Sequence, residues 1–178
     1  MAASLIEKQV IYEGTKVRLE VHHLKDEETG RRLRKEVCVH NGAVVILPML
    51  EGGKILLIRN RRYAIGQILL ELPAGTLEPR ENPMNGAGRE LLEETGYLAG
   101  RLKLLGSFFT SPGILSEKMY AFVAYDLEKK TQALEEGEEI EVVETGLAEA
   151  IEMIRSGEII DGKTIATLLM YERFHRSQ

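Results

Sequence analysis

Residues Gly75 to Tyr97 read GTLEPRENPMNGAGRELLEETGY, the densest set of potential ligands in the chain. The stretch from Asn85 to Thr95 has helical periodicity, with Leu91 and Leu92 inward and acids elsewhere. On such a helix Glu90, Glu93 and Glu94 stand three and four residues apart and project from one face. Like charges at that spacing repel by roughly a few tenths of a kcal/mol per exposed pair. A hard cation reverses that sign, because Mg²⁺ takes oxygen ligands and bridges one or two carboxylates to phosphates. Arg89 precedes Glu93 by four residues and is placed to pair with it, while Glu81 can fold back from the preceding loop onto Arg89. Glu-rich helix faces are often merely solvated. The extended Pro73-Ala74-Gly75 and the loop after it are something a solvated helix would not require.

Other reactive groups are sparse. Arg59, Arg61 and Arg62 form a basic cluster suited to bidentate contact with a phosphate. The segment 134–140, LEEGEEI, is an acidic loop. Cys38 is the single cysteine and lies in a β-like run, as a small apolar residue would. His22, His23, His40 and His175 show no paired ligand spacing.

These groups need a scaffold, and 178 residues suffice for one full core. Apolar residues make up 44% and the formal charge is −5, which argues against a general nucleic-acid binder. No apolar run approaches the roughly 20 residues that span a bilayer, and MAASLIEKQV lacks the core of a signal peptide. A cytoplasmic protein without nucleic-acid or membrane partners is expected. Val17–Leu24 and Arg32–Val39 read as strands joined through DEETG, followed by the apolar strand Ala43–Leu50 and then Ile55–Ile58. The short links predict an antiparallel meander. Ile68–Leu72, Leu102–Phe109, Met119–Tyr125 and Ile140–Val143 are further strands; Leu147–Ser156 and Thr164–His175 are terminal helices. Strands, helix, strands, helices make an α+β domain with helices on a mixed sheet.

The spacing Gly75, five residues, Glu81, seven residues, Arg89-Glu90-Leu91-Leu92-Glu93-Glu94-Thr95-Gly96 resembles the Nudix box. Tyr97 stands where the family usually has an aliphatic residue, and Gly86 and Gly88 where alanines are frequent. Those glycines should each weaken the helix by up to about 1 kcal/mol. The flanks GAVVILPM, LLIRNRRYAIG, ELPAG and FTSPGILSEKMYAF resemble the ADP-ribose pyrophosphatase subgroup, in which a proline lies fifteen residues past the box, as Pro112 does here. Two positions depart: Leu70 where tryptophan is common before ELPAG, and His40-Asn41-Gly42 in place of HPG.

The resemblance implies an α/β/α sandwich around a mixed sheet, with an N-terminal antiparallel β-hairpin in residues 1–40 that pairs subunits and a Nudix domain in 41–178. It implies Mg²⁺, with Mn²⁺ able to substitute, held by Glu90, Glu93, Glu94 and the carbonyl of Ala74. It implies a catalytic set of Glu138, Glu136, Glu94 and Arg89, with Glu138 as the base from the acidic loop and Glu136 its nearest rival. Arg62, Arg59, Glu71 and Pro112 form the implied substrate-binding set. The expected reaction is hydrolysis of ADP-ribose to AMP and ribose 5-phosphate by a homodimer. GDP-mannose or another nucleoside diphosphate sugar is the alternative substrate, and a silent ADP-ribose sensor the third reading, disfavoured because every box acid is present.

Overall fold

The computed structural model describes residues 3–134, 137 and 139–175, and the chain divides into two compact units. One comprises Met1–Gly42 and Phe109–Lys118. Its strands β1 (Ala3–Glu13), β2 (Arg18–Asp26) and β3 (Arg32–Val39) form an antiparallel sheet in that order. The β2–β3 turn is tied by the Asp26 carboxylate, which accepts from the amides of Glu28 (3.0 Å) and Thr29 (2.8 Å). The sheet has one strand more than a hairpin. β1 is exposed along its whole length, so it lacks the alternating burial that announces a strand, and backbone pairing with β2 defines it. The segment Phe109–Lys118 joins this unit through Cys38, whose amide donates to the Ile114 carbonyl at 2.7 Å.

The second unit comprises Ala43–Phe108 and Met119–Gln178. Its elements are β4 (Ala43–Pro48), β5 (Lys54–Arg62), β6 (Gln67–Glu71), β7 (Ala74–Thr76), α1 (Pro83–Thr95), β8 (Tyr97–Phe109), β9 (Lys118–Lys129), β10 (Ile140–Gly146), α2 (Leu147–Ser156) and α3 (Gly162–Phe174). A four-stranded sheet runs β7-β4-β9-β8 and a three-stranded one β10-β5-β6. β4 pairs parallel with β9 and antiparallel with β7, so the first sheet is mixed.

Every residue of β4 is buried, because both of its faces are covered. Val44 and Ile46 pack with Ala87 and Leu91 of α1. Val45 and Leu47 face the other way, into a cluster with Leu147 and Ala150 of α2 and Leu168 and Tyr171 of α3. Period-two alternation thus builds helix, sheet and helix layers from one strand, the expected sandwich. Full burial of each valine, leucine or isoleucine among them contributes roughly 1.5–3 kcal/mol.

The antiparallel meander does not form. β3, β4 and β5 lie in three different sheets; among the described residues β4 forms no ladder with β5, and the chain between them closes with the isolated bridge Met49–Ile55. Short links fix the path of the chain but not its ladder partner, and a strand apolar on both faces belongs in a sheet centre. Among the described residues, no helix is long and apolar enough to cross a membrane.

Candidate active site and metal centre

Helix α1 begins two residues earlier than its periodicity suggests, at Pro83, and the Asn82 side chain caps it by accepting from the Met84 amide at 2.9 Å. It ends at Gly96, whose φ of 71° forms the left-handed C-cap. Gly86 does not merely weaken the helix. A Cβ there would lie 2.6 Å from Leu77 Cδ2, so its bareness lets α1 approach the segment behind β7.

Gly75 is the sharper case. A Cβ on it would lie 1.9 Å from Glu90 Cδ and 2.1 Å from both carboxylate oxygens, so Glu90 rests on the bare backbone of β7. One residue back, the Ala74 amide donates to Glu94 Oε2 at 2.8 Å. Glu94 is only 3% exposed, and this amide anchors one of its oxygens. β7, only three residues long, therefore holds two of the box carboxylates.

Arg89 gathers the rest. Its Nε and Nη2 donate to Glu81 at 3.1 and 3.0 Å, and its Nη1 donates to Glu90 at 2.8 Å and Glu93 at 3.0 Å. Nη2 also reaches the Thr76 carbonyl at 3.3 Å. All five N–H bonds of the guanidinium are thereby committed. Its pKa is raised above the ordinary arginine value, first by the Glu81 hydrogen bond and, after opposition from burial, by Glu90. The same hydrogen bond is the largest influence holding Glu81 below the usual carboxylate range. The expected pairings of Arg89 with Glu93 and Glu81 are both present.

The donor set here is all oxygen, as a hard divalent cation requires. Among the described residues no three ligating side chains are gathered closely enough to hold an ion by themselves. Mg²⁺ commonly relies on one or two carboxylates together with water and phosphate. Glu90 braced on Gly75, Glu94 on the Ala74 amide and the Ala74 carbonyl suit that chemistry.

The arginine cluster divides by strand alternation. Arg59 and Arg61 share one exposed face of β5 and pair with Glu141 of β10 at 3.3 Å and with Glu139, the residue before it begins, at 3.1 Å. With Ile68 and Ile140 they line an open surface cavity of about 360 Å³. Arg62 points to the other face. Its Nε and Nη2 clasp Glu71 at 2.8 and 2.5 Å, and the bond to Glu71 is the main influence raising its pKa, with Glu94 near enough to add to it. Glu71 itself has no exposed surface, so its way into the site is through Arg62. Pro112 lies in the other unit, exposed in the turn after Ser111. Glu136 and Glu138 fall outside the described residues. The chain just before them is docked on the C-terminal end of α1, with Gln132 Nε2 donating to the Glu94 carbonyl at 2.6 Å and the Ala133 amide to the Glu93 carbonyl at 3.0 Å.

Three residues near the site carried no signal read from the sequence. Lys163 donates to Glu71 Oε2 at 2.5 Å and to Asp161 Oδ2 at 2.9 Å, and Thr164 Oγ1 accepts from the Leu72 amide at 2.8 Å. Asp161 caps α3. An aspartate three residues before Thr164 was the available sign that the helix starts earlier than Thr164.

The profile of the NUDIX domain family matches residues 39–168. The chain is 36% identical to the ADP-ribose pyrophosphatase of Bacillus subtilis (strain 168), over 89% of this chain and 86% of that relative. It is 36% identical to the methanol dehydrogenase activator of Bacillus methanolicus (90% and 87% covered) and 35% identical to the GDP-mannose pyrophosphatase of Shigella flexneri (85% and 83%). A solved ADP compounds hydrolase superposes with a TM-score of 0.88 at 23% identity, over 100% of this chain and 96% of the other, which establishes the fold. With the family profile spanning α1, β7 and the strands that brace them, the chain belongs to the Nudix family of pyrophosphohydrolases.

Proposed function

We propose that the protein hydrolyses the diphosphate linkage of a nucleoside diphosphate sugar, with ADP-ribose, giving AMP and ribose 5-phosphate, as the preferred substrate. The observation that carries the reading is the bracing of two box carboxylates on β7: Glu90 against the bare face of Gly75 and Glu94 on the Ala74 amide. A solvated acidic helix has no use for such bracing. The name of the 36% identical pyrophosphatase supports ADP-ribose. That of the 35% identical relative keeps GDP-mannose as the second reading.

In this reading Glu90 and Glu94, with Glu93 and the Ala74 carbonyl, would hold Mg²⁺, with Mn²⁺ able to substitute. The bound ion supplies charge neutralisation on the diphosphate and a more acidic water. Glu138, with Glu136 as its rival, accepts a proton from the attacking water. The water oxygen bonds to phosphorus as the bridging P–O bond breaks, and the departing phosphate carries away that electron pair. Arg62 binds phosphate oxygens through the guanidinium edge that Glu71 does not occupy, and Arg59 would lie further along the substrate. Arg89 holds the box acids in register. The region 1–40 pairs two copies of the chain, a role supported by the exposed β1, which carries Leu5, Ile6, Val10, Ile11 and Tyr12 on an unpaired edge.

The test is kcat/KM for ADP-ribose, GDP-mannose and other diphosphate sugars with Mg²⁺, alongside sedimentation of the protein. ADP-ribose should be the best substrate of a dimer. A preference for a guanosine substrate would overturn the choice of base, and no hydrolysis of any of them would overturn the enzymatic reading.

A further inference from the structure

Glu71 is a carboxylate with no solvent exposure, at the end of β6, and it is held by two cations from different elements. Arg62 of β5 grips it with two parallel N–H bonds, and Lys163 of α3 adds a third to Oε2 at 2.5 Å. One guanidinium already satisfies a buried carboxylate in charge and in geometry. The second cation adds to that pairing and divides its own charge between Glu71 and Asp161. Lys163 is itself largely buried, with a side chain 12% exposed, and draws on Asp161, which also accepts from the Thr164 amide at 3.0 Å and the Thr164 hydroxyl at 2.6 Å.

We propose that Lys163 is a positioning residue for the diphosphate site, acting through Glu71 on Arg62. The inference rests on the reading above that Arg62 binds the diphosphate. Two physical effects lead to it. The first is charge. With Lys163 present, Glu71 shares its negative charge between two cations, so Arg62 is oriented by a carboxylate that does not fully neutralise it. Without Lys163, Arg62 alone would compensate a buried anion and would offer little net charge to a phosphate. The second effect is geometric. Arg62 has a side chain 39% exposed, and its Nη1 makes no hydrogen bond to the described residues. The direction of that edge is set by where Glu71 stands. Lys163 fixes Glu71 from α3, whose first turn is separately fastened just past the end of β6, where the Leu72 amide donates to Thr164 Oγ1. Asp161 and Thr164 already complete the cap of α3, and the ammonium of Lys163 bridges that capping carboxylate to Glu71.

The experiment is a double-mutant cycle on the full-length protein with ADP-ribose and Mg²⁺, using Lys163→Met, Arg62→Ala and the pair. Binding of the non-hydrolysable α,β-methylene-ADP is followed by calorimetry and unfolding by its midpoint. Lys163→Met should lower kcat/KM and weaken the analogue by about tenfold, as loss of an outer orienting partner does elsewhere. In the Arg62→Ala background the same change should move both by less than about twofold. Lys163→Gln, which keeps a donor and loses the charge, should repeat the pattern and serves if the methionine variant does not fold. Equal losses in both backgrounds, or no loss in the wild-type background while Arg62→Ala is costly, would overturn the role of Lys163 alone. A silent Arg62→Ala would overturn the diphosphate-binding reading of Arg62 and the inference with it.

Discussion

Replacing Gly75 by alanine adds one methyl group to an extended strand position that alanine tolerates, yet the site has no room for it. The new Cβ would lie 1.9 Å from Glu90 Cδ, and ordinary contact begins at 3.4 Å, so the carboxylate must retreat by about 1.5 Å (3.4 less 1.9). That displacement breaks the register of Glu90 with Arg89 Nη1, now 2.8 Å away. A misplacement of about 1 Å in a reacting array costs on the order of a hundredfold in rate, so kcat/KM should fall by about that factor and the Mg²⁺ requirement should rise. Stability should hardly change. Pushing Glu90 off its rotamer costs about 0.5–1.5 kcal/mol, while removing a glycine from the unfolded chain stabilises by about 0.4–1 kcal/mol. The net shift in Tm should therefore stay within about 4 °C. The assay is hydrolysis of ADP-ribose across a Mg²⁺ titration, with thermal unfolding in parallel and Glu90→Ala as reference. Adding Gly75→Ala to Glu90→Ala should then cost nothing more. Near wild-type kcat/KM at an unshifted Mg²⁺ requirement would refute the argument that Glu90 depends on the bare face of β7.

Glu94→Gln retains an oxygen for the Ala74 amide but loses the charge, so turnover should drop by at least about tenfold at saturating Mg²⁺; wild-type turnover would remove Glu94 from the metal set. Glu138→Gln should lower turnover while calorimetry still detects Mg²⁺ binding, and unchanged turnover would move the base to Glu136 or into the box. Glu81 has a depressed pKa because Arg89 donates to it, so its stabilisation is present above the ordinary value of 4.5 and is lost as pH falls through the lower folded value. Urea unfolding followed from neutral pH down through the carboxylate range should show a shallower acid decline for Glu81→Gln than for wild type. Parallel curves would show that the pair contributes nothing to acid stability.

Legibility in the sequence followed the range of the interactions. The acids of α1 were readable because a helix fixes which side chains share a face, and Arg89 found Glu93 and Glu81 as local spacing required. The burial of β4 was readable from its wholly apolar run. Its partners were not, since β9 lies more than seventy residues away and nothing local specifies a parallel ladder between Ala43 and Met119. Alternation along β5 already separates Arg62 from Arg59 and Arg61, but only burial shows which face turns inward. Lys163 carried no signal at all. A lysine in the first turn of a helix reads as surface, and its partner Glu71 lies ninety-two residues earlier in the chain. Ala74 and Gly75 were readable as extended, but the pairing of the three-residue β7 with β4 was not, since nothing local names its partner.

The saturation of Arg89 has an evolutionary consequence. A guanidinium with every N–H committed to the scaffold cannot also read a ligand, so the machinery that holds the box acids and the determinants of substrate choice are separate modules. Mutation can redraw the second, beyond the box, without disturbing the first. Relatives with names as different as ADP-ribose pyrophosphatase and GDP-mannose pyrophosphatase, all about a third identical to this chain, are what such an arrangement would be expected to generate over time.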